Sequence, residues 1–433
     1  MSGYPKPATG GLATNLTVAI SLALLTLAGS AMAQNTEHHQ TALVGTWTSI
    51  PDAPAVQKPD RPSEGLYRMQ VNSDGTLKPL EVIRMKSPSW IVKSRDGRFA
   101  YTTNEENAGA VTALAIDKQG AVRVLNQVDS HGEQPTHATL SPDGKFLFVA
   151  NYSVAKGGAG VTVFPIASDG KLGEQVQHFA FSEGSGVVKD RQDGGHAHST
   201  TFTHDGRYLY AADLGDDKLH AYRYHADRRE PLQADTSRDV SFAPGAGPRH
   251  MVFSADGKHA YVITEMAGEI VVFRVTDDRL ERQAQVALNT QNSSAACKSG
   301  GGIILSPQGK FLIAANRGSD NHLLVFKIAA DGSLTDPQRY AADGIEPRAL
   351  AFDNSGKHLY VTNVFTNTIT LFDFDAHSGK LSARGVAAKL ATPTDINSST
   401  NCPFTHPVRV TAHRLPPWPT ARFPAKPETS GRD

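Results

Sequence analysis

The sequence predicts an all-β protein, a seven-bladed β-propeller with four-stranded antiparallel blades. Two observations predict it. A turn built on Asp-Gly or a variant recurs at Asp96-Gly97, Asp143-Gly144, Asp205-Gly206, Asp256-Gly257, Gln308-Gly309 and Ser355-Gly356, at intervals of 47 to 62 residues. That is close to the period of propeller blades. Each turn is followed by an apolar run closing on Asn, Asp or Thr, then by a second run of β-formers.

The elements of one unit follow from local chemistry. The Asp-Gly turn joins the first two strands, because a tight hairpin needs a residue tolerant of positive φ. Near-continuous apolar second strands, such as Phe146-Leu147-Phe148, suit sheets covered on both faces by neighbouring blades. Third strands are β-branched and aromatic: Val161 to Phe164, Ile270 to Phe273, Leu323 to Phe326 and Ile369 to Phe372. A second turn, as at Asp169-Gly170 and Asp331-Gly332, leads to a shorter, more polar fourth strand. Six units are clear, and Val44 to Ser94 supplies a seventh without its own preceding turn. No helical periodicity of useful length follows residue 40, and four strands per unit favour a propeller over a solenoid.

The ends differ from the repeat. Leu16 to Ala28 is mostly apolar, and Ala31-Met32-Ala33 precedes Gln34. A short hydrophobic segment before an A-x-A site predicts a cleaved signal peptide over residues 1–33, too short for a comfortable transmembrane helix. A polar leader (34–41) then precedes the propeller (42–396). Beyond Ile396 the pattern lapses into Pro416-Pro417-Trp418-Pro419, which cannot sit in a central strand. Residues 397–433 are expected to be an irregular tail. The mature protein is expected in the periplasm or outside the cell.

Lys+Arg and Asp+Glu both number 43, so the formal net charge is zero. That balance offers no footprint for nucleic acid or an anionic membrane, and the mature protein is expected to be a monomer acting on a small molecule. The two cysteines, Cys297 and Cys402, are too few for a disulfide scaffold, although one bridge is open to them in an oxidising compartment.

Using the turns as a ruler locates a candidate site. The start of each first strand lies beside the end of the second, at the mouth of the central channel. Seven residues before the turn lie Ser89, Thr136, His198, Arg249, Gly301 and Arg348. Eight after the turn glycine lie Glu105, Tyr152, Leu214, Glu265, Arg317 and Val364. The residue before each of these is Asn104, Asn151, Asp213, Thr264, Asn316 or Asn363, a near-uniform choice that reads as strand-end backbone capping.

The two rim columns vary from blade to blade, as one asymmetric ligand requires. They gather His198, Arg249, Glu265 and Arg317 from three consecutive blades. Histidine titrates near neutral pH, a glutamate beside two arginines stays ionised, and arginine offers a planar fork for an anion. That set suits anion binding and acid–base work; the alternative is a ring of solvated ion pairs. His196, Arg348, Glu105 and Tyr152 are the expected substrate contacts. His196 and His198, two apart with Asp193 nearby, match no established ligand spacing, so no metal or cofactor is expected.

At this point a resemblance adds to the reading. Val44 to Ser49, Val149-Ala150-Asn151-Tyr152, His196 to Ser199, Pro244 to His250 and Ala315-Asn316-Arg317-Gly318 resemble motifs of the lactonase-family seven-bladed propellers. That family includes propeller-type 6-phosphogluconolactonases and the fungal 3-carboxy-cis,cis-muconate lactonizing enzyme. The match covers about Leu43 to Ile396. The resemblance implies a histidine, an arginine, a glutamate and a second arginine as active residues, and by motif they fall on His198, Arg249, Glu265 and Arg317. One departure is visible: family members usually carry an acidic residue just before the strand that here begins Gly301-Gly302-Ile303.

The expected activity is metal-independent hydrolysis of a sugar lactone, with Arg249 and Arg317 on the oxyanion and either His198 or Glu265 as general base on water. The resemblance makes 6-phosphogluconolactone the default substrate, whereas export argues for an unphosphorylated lactone. A cycloisomerase closing a muconate-type diacid, and a binding propeller without turnover, are the alternatives.

Overall fold

The computed structural model describes residues 40–49, 56–153, 158–181, 183–277, 279–289 and 298–398. The expected signal peptide, nearly all of the polar leader, Cys297, Cys402 and the tail beyond Ser398 lie outside the described residues.

Seven antiparallel sheets form the ring. Blade 1 runs from the channel outward as Pro88–Lys93, Phe99–Asn104, Ala110–Ile116 and Val122–Asp129. Blades 2 to 6 begin with innermost strands Pro135–Leu140, Ala197–Phe202, Pro248–Phe253, Gly300–Leu305 and Pro347–Phe352, each followed by its second, third and fourth strand in chain order. Blade 3 carries an extra short strand, Val240–Ser241, beside its third. The innermost strands touch one another in cyclic order around the channel. Among the described residues the one helical element is a 3-10 turn, Thr236–Arg238, and no helix is long and apolar enough to cross a membrane.

Blade 7 corrects the sequence reading. Its second, third and fourth strands are Thr41–Thr46, Gly65–Val71 and Leu77–Arg84, but its innermost strand is Pro393–Asn397 from the far end of the domain. Residues 88–94, assigned above to the seventh unit, belong to blade 1. The propeller thus starts at Thr41 and ends at Asn397, one residue beyond each expected boundary, with Leu43 opposite Asn397 and Val44 opposite Ile396. Strand pairing between chain ends leaves no local signal, yet it removes the open edge that an unclosed ring would expose.

The repeated turns have one geometry. Gly97, Gly144, Gly206, Gly257, Gly309 and Gly356 all have φ between 67° and 72°. In four of them a Ser or Thr hydroxyl two residues ahead donates to the turn aspartate at 2.7 Å: Ser94, Ser141, Thr203 and Ser254. Second strands are wholly buried in blades 2, 3 and 5 (Phe146–Asn151, Tyr208–Asp213, Phe311–Asn316), whereas fourth strands such as Arg279–Ala287 are mostly exposed.

A second periodic device ties blade to blade. Tyr101, Tyr261 and Tyr360, all buried on second strands, donate to the carbonyls of Gly170, Gly332 and Gly75 in the next blade, at 3.1, 3.0 and 2.8 Å. Gly170 takes φ +85°, and a Cβ there would lie 2.3 Å from the Phe99 ring, so only glycine fits this approach.

Candidate active site

The rim column is set by a repeated β-bulge. In all seven innermost strands the register slips at the channel end, leaving Ser89, Thr136, His198, Arg249, Arg348, Thr394 and the Gly301-Gly302 pair without a direct partner. A bulge re-aims the side chain of the extra residue, and such devices cluster near binding sites. The column of Asn and Asp residues beside it holds the strand ends: Asn104 donates to the Lys86 carbonyl at 2.6 Å, and Asp213 accepts from the His196 backbone at 2.8 Å.

His198, Arg249, Glu265 and Arg317 form one cluster from blades 3, 4 and 5. Glu265 Oε2 lies 3.0 Å from Arg249 Nε, 2.8 Å from Arg317 Nη2 and 3.7 Å from His198 Nε2. Its other oxygen pairs with Arg191 Nη2. The cluster is not solvated: His198 is 4%, Arg249 1%, Glu265 7% and Arg317 6% exposed. Concentrating four ionisable side chains out of water is costly and marks a functional site more often than a scaffold.

Each charge has an identifiable environment. Burial alone would raise the Glu265 carboxyl, but the guanidiniums of Arg317, Arg191 and Arg249 hold it well below the usual carboxylate range. Burial, and then the charge of Arg249, holds the His198 imidazole well below 6.5, so it is neutral at pH 7. Its Nδ1 has no hydrogen-bond partner among the described residues. Burial, with Arg317 adding repulsion, lowers Arg249 to about 9, still protonated at neutral pH. Arg249 Nη1 donates to the Gly301 carbonyl at 2.9 Å, and Arg317 donates from Nε to the Gly300 carbonyl at 3.2 Å and from Nη1 to Glu346 at 2.6 Å.

The glycines at this strand have a physical role. A Cβ on Gly300 would lie 2.3 Å from the Thr264 carbonyl, and one on Gly301 2.5 Å from that of Pro347. Their carbonyls reach the arginines because no side chain holds the neighbouring strands apart. Glu346, from the loop before blade 6, supplies Arg317 with its second carboxylate.

The remaining expected residues divide. Arg348 pairs with Glu105 at 3.1 Å and lies 4.5 Å from the centroid of the Trp47 ring, so blades 6, 7 and 1 meet here. Tyr152 sets its ring edge-on to His198 at 5.7 Å, and its hydroxyl accepts from Arg191 at 3.2 Å. His196 stacks on Tyr152 at 4.6 Å, and its Nδ1 lies against the Ser153 and Tyr152 carbonyls at 2.5 and 3.0 Å. His196, at the entry to blade 3, therefore packs against Tyr152 of blade 2 and makes no hydrogen bond or ion pair with Glu265 among the described residues.

Sequence reasoning missed Arg191, Glu346 and two buried histidines. Arg191 sits in a loop where the repeat ruler has no column, whereas Glu346 lies two residues before Arg348, in the column that His196 occupies before His198. His250 packs 5.1 Å from His198, and His137 5.4 Å from His250 and 4.3 Å from Trp90, forming an aromatic column. Both follow a rim residue directly, so the column one position further along the ruler would have found them. Asp213, Asp216 and His220 could converge on a cation, but Lys218 already sits on Asp216.

Comparison with known proteins decides the family. A model described as "Lactonase, 7-bladed beta-propeller" matches residues 41–398. The chain belongs to the seven-bladed propeller lactonase family. Among the family's curated members, the 6-phosphogluconolactonase of Formosa agariphila is 31% identical over 329 residues, 74% of this chain and 91% of the relative. That of Bacillus subtilis is 31% identical over 325 residues, 74% and 90%. Among solved structures of lactonases, the periplasmic gluconolactonase of Pseudomonas aeruginosa is 34% identical, with a TM-score of 0.76, 83% of this chain and 98% of that one being covered.

Proposed function

We propose that this protein hydrolyses an unphosphorylated sugar lactone in the periplasm. The observation that carries the choice of substrate is the pairing of the rim arginines. Arg191, Arg249, Arg317 and Arg348 already face Glu265, Glu346 and Glu105. The cluster keeps an excess of one positive charge, which suits a carbonyl oxygen or a single carboxylate. The likeness to a protein named periplasmic gluconolactonase and the signal-peptide pattern of residues 1–33 support the same reading.

The chemistry follows from the protonation states. Glu265, held by three guanidiniums, is too weak a base and serves to orient the arginines. Neutral His198 takes the proton from water as its oxygen adds to the lactone carbonyl. Negative charge grows on the carbonyl oxygen and is met by Arg249, whose Nη2 makes no hydrogen bond among the described residues, with Arg317 beside it. The ring C–O bond then breaks, and the ring oxygen takes the proton back from His198. The test is proton release from glucono-1,5-lactone and from its 6-phosphate, above the spontaneous rate. Preferred turnover of the neutral lactone is expected. Preference for the phosphate would overturn the substrate assignment, and no turnover with either would overturn the hydrolase.

A further inference from the structure

Arg191 stands apart from the other arginines of the cluster. It comes from the loop between blades 2 and 3, outside the repeat, and its side chain is 41% exposed while the carboxylate it holds is 9% exposed. Only its Nη2 is engaged, by Glu265 and Tyr152. Its Nε and Nη1 make no hydrogen bond among the described residues. By contrast, all three nitrogens of Arg317 are in use.

The loop is held rather than free. Gln192, fully buried, donates from Nε2 to the Leu214 carbonyl at 2.9 Å and accepts from the Val188 backbone at 3.2 Å. Ser185 donates to the Gly215 carbonyl at 2.8 Å. The guanidinium is therefore held, partly exposed, on the buried Glu265 with its remaining donors unspent.

We infer that Arg191 is a specificity-determining residue whose uncommitted N–H donors give a subsite for the carboxylate of the aldonate that ring opening releases. With Nη2 engaged, neither two-bond fork is open, and the Nε or Nη1 N–H donates a single charge-assisted bond to a carboxylate oxygen. The inference rests on the lactonase reading.

The experiment uses the whole mature protein, D-gluconate as probe, and the variants Arg191→Met and Arg191→Lys, with Lys189→Met, an exposed neighbour on the same loop, as the charge control. Calorimetric titration reads gluconate binding without turnover, and inhibition of glucono-1,5-lactone hydrolysis reads it during turnover. Arg191→Met is expected to weaken gluconate at least tenfold and to raise KM more than it lowers kcat. Arg191→Lys, which keeps the charge but not the planar set of donors, should fall between, and Lys189→Met should match the parent. Gluconate binding equal in parent and Arg191→Met, in variants whose thermal unfolding is unchanged, would overturn the subsite, as would a parent that does not bind gluconate. A parent that binds gluconate through Arg191 but turns over no lactone would instead sink the hydrolase and leave the subsite standing.

Discussion

His198 Nε2 stands 3.7 Å from the same Glu265 oxygen that Arg249 and Arg317 share. A neutral imidazole thus sits beside a carboxylate whose charge is spent on guanidiniums. On the proposed mechanism, the base and the anion-stabilising groups are thus adjacent without neutralising one another, as water attack on a carbonyl requires.

Loss of the imidazole should remove the base and little else. His198→Gln is expected to lower kcat by about 10²- to 10⁴-fold, the usual worth of a positioned base, with a much smaller change in KM. Steady-state kinetics on glucono-1,5-lactone decides it; a kcat within threefold of the parent would assign the base elsewhere.

Glu265 is expected to matter for folding as well as for rate. In Glu265→Gln, Arg249 and Arg317 lose their common counter-ion in a buried site. Breaking a buried pair by removing one partner costs roughly 3–5 kcal/mol. Denaturant unfolding should show this loss, while Glu105→Gln, at the Arg348 pair, should cost less because its partner also rests on Trp47.

The pH profile follows from the direction of the His198 shift. Because its pKa in the folded protein lies well below 6.5, the base stays unprotonated through neutral pH. The acid limb of kcat/KM should therefore fall below pH 6.5, and His198→Gln should abolish that limb.

The buried histidines also link stability to pH. His137 is pushed down to about 3, by burial first and then by Arg249. Between about pH 3 and 6.5 the unfolded chain binds a proton at this position that the folded chain does not. Stability therefore declines as pH drops from 6.5 towards 3. His250, also held well below 6.5, contributes in the same sense. His137→Phe should flatten the fall in Tm from pH 6.5 to 4, measured by thermal unfolding, though it gives up the bond from the Thr200 backbone.

Ring closure can be tested at Asp395. This buried carboxyl on the innermost strand of blade 7 accepts from the Ile91 backbone of blade 1 at 2.8 Å and from its neighbour Ile396 at 2.9 Å. Burial raises it to about 6. Asp395→Ala leaves the Ile91 N–H unsatisfied and is expected to cost about 1–3 kcal/mol. A chain ending at Thr392 removes the whole strand and should fail to give a cooperative thermal transition.

Most of the architecture was legible because it is local. An Asp-Gly turn, an apolar second strand and a β-branched third recur with one period, and each is dictated by backbone conformation and by burial between blades. The same periodicity located His198, Arg249, Glu265 and Arg317 as rim positions, since a repeat places equivalent residues at equivalent heights. Arg191 stayed hidden because its loop between blades carries no period, and Glu346 because it lies in the column two residues before the rim, outside the two columns the ruler compared.

The sequence by itself therefore determined the blade, the number of blades and the rim column, all consequences of short-range chemistry repeated along the chain. Tertiary structure alone decided what depends on distant segments meeting: Pro393–Asn397 completing the blade begun at Thr41, Arg191 reaching Glu265 across 74 residues, and the burial that keeps His198 neutral. Pairing partners and desolvation are properties of neighbours in space, and no local pattern encodes them.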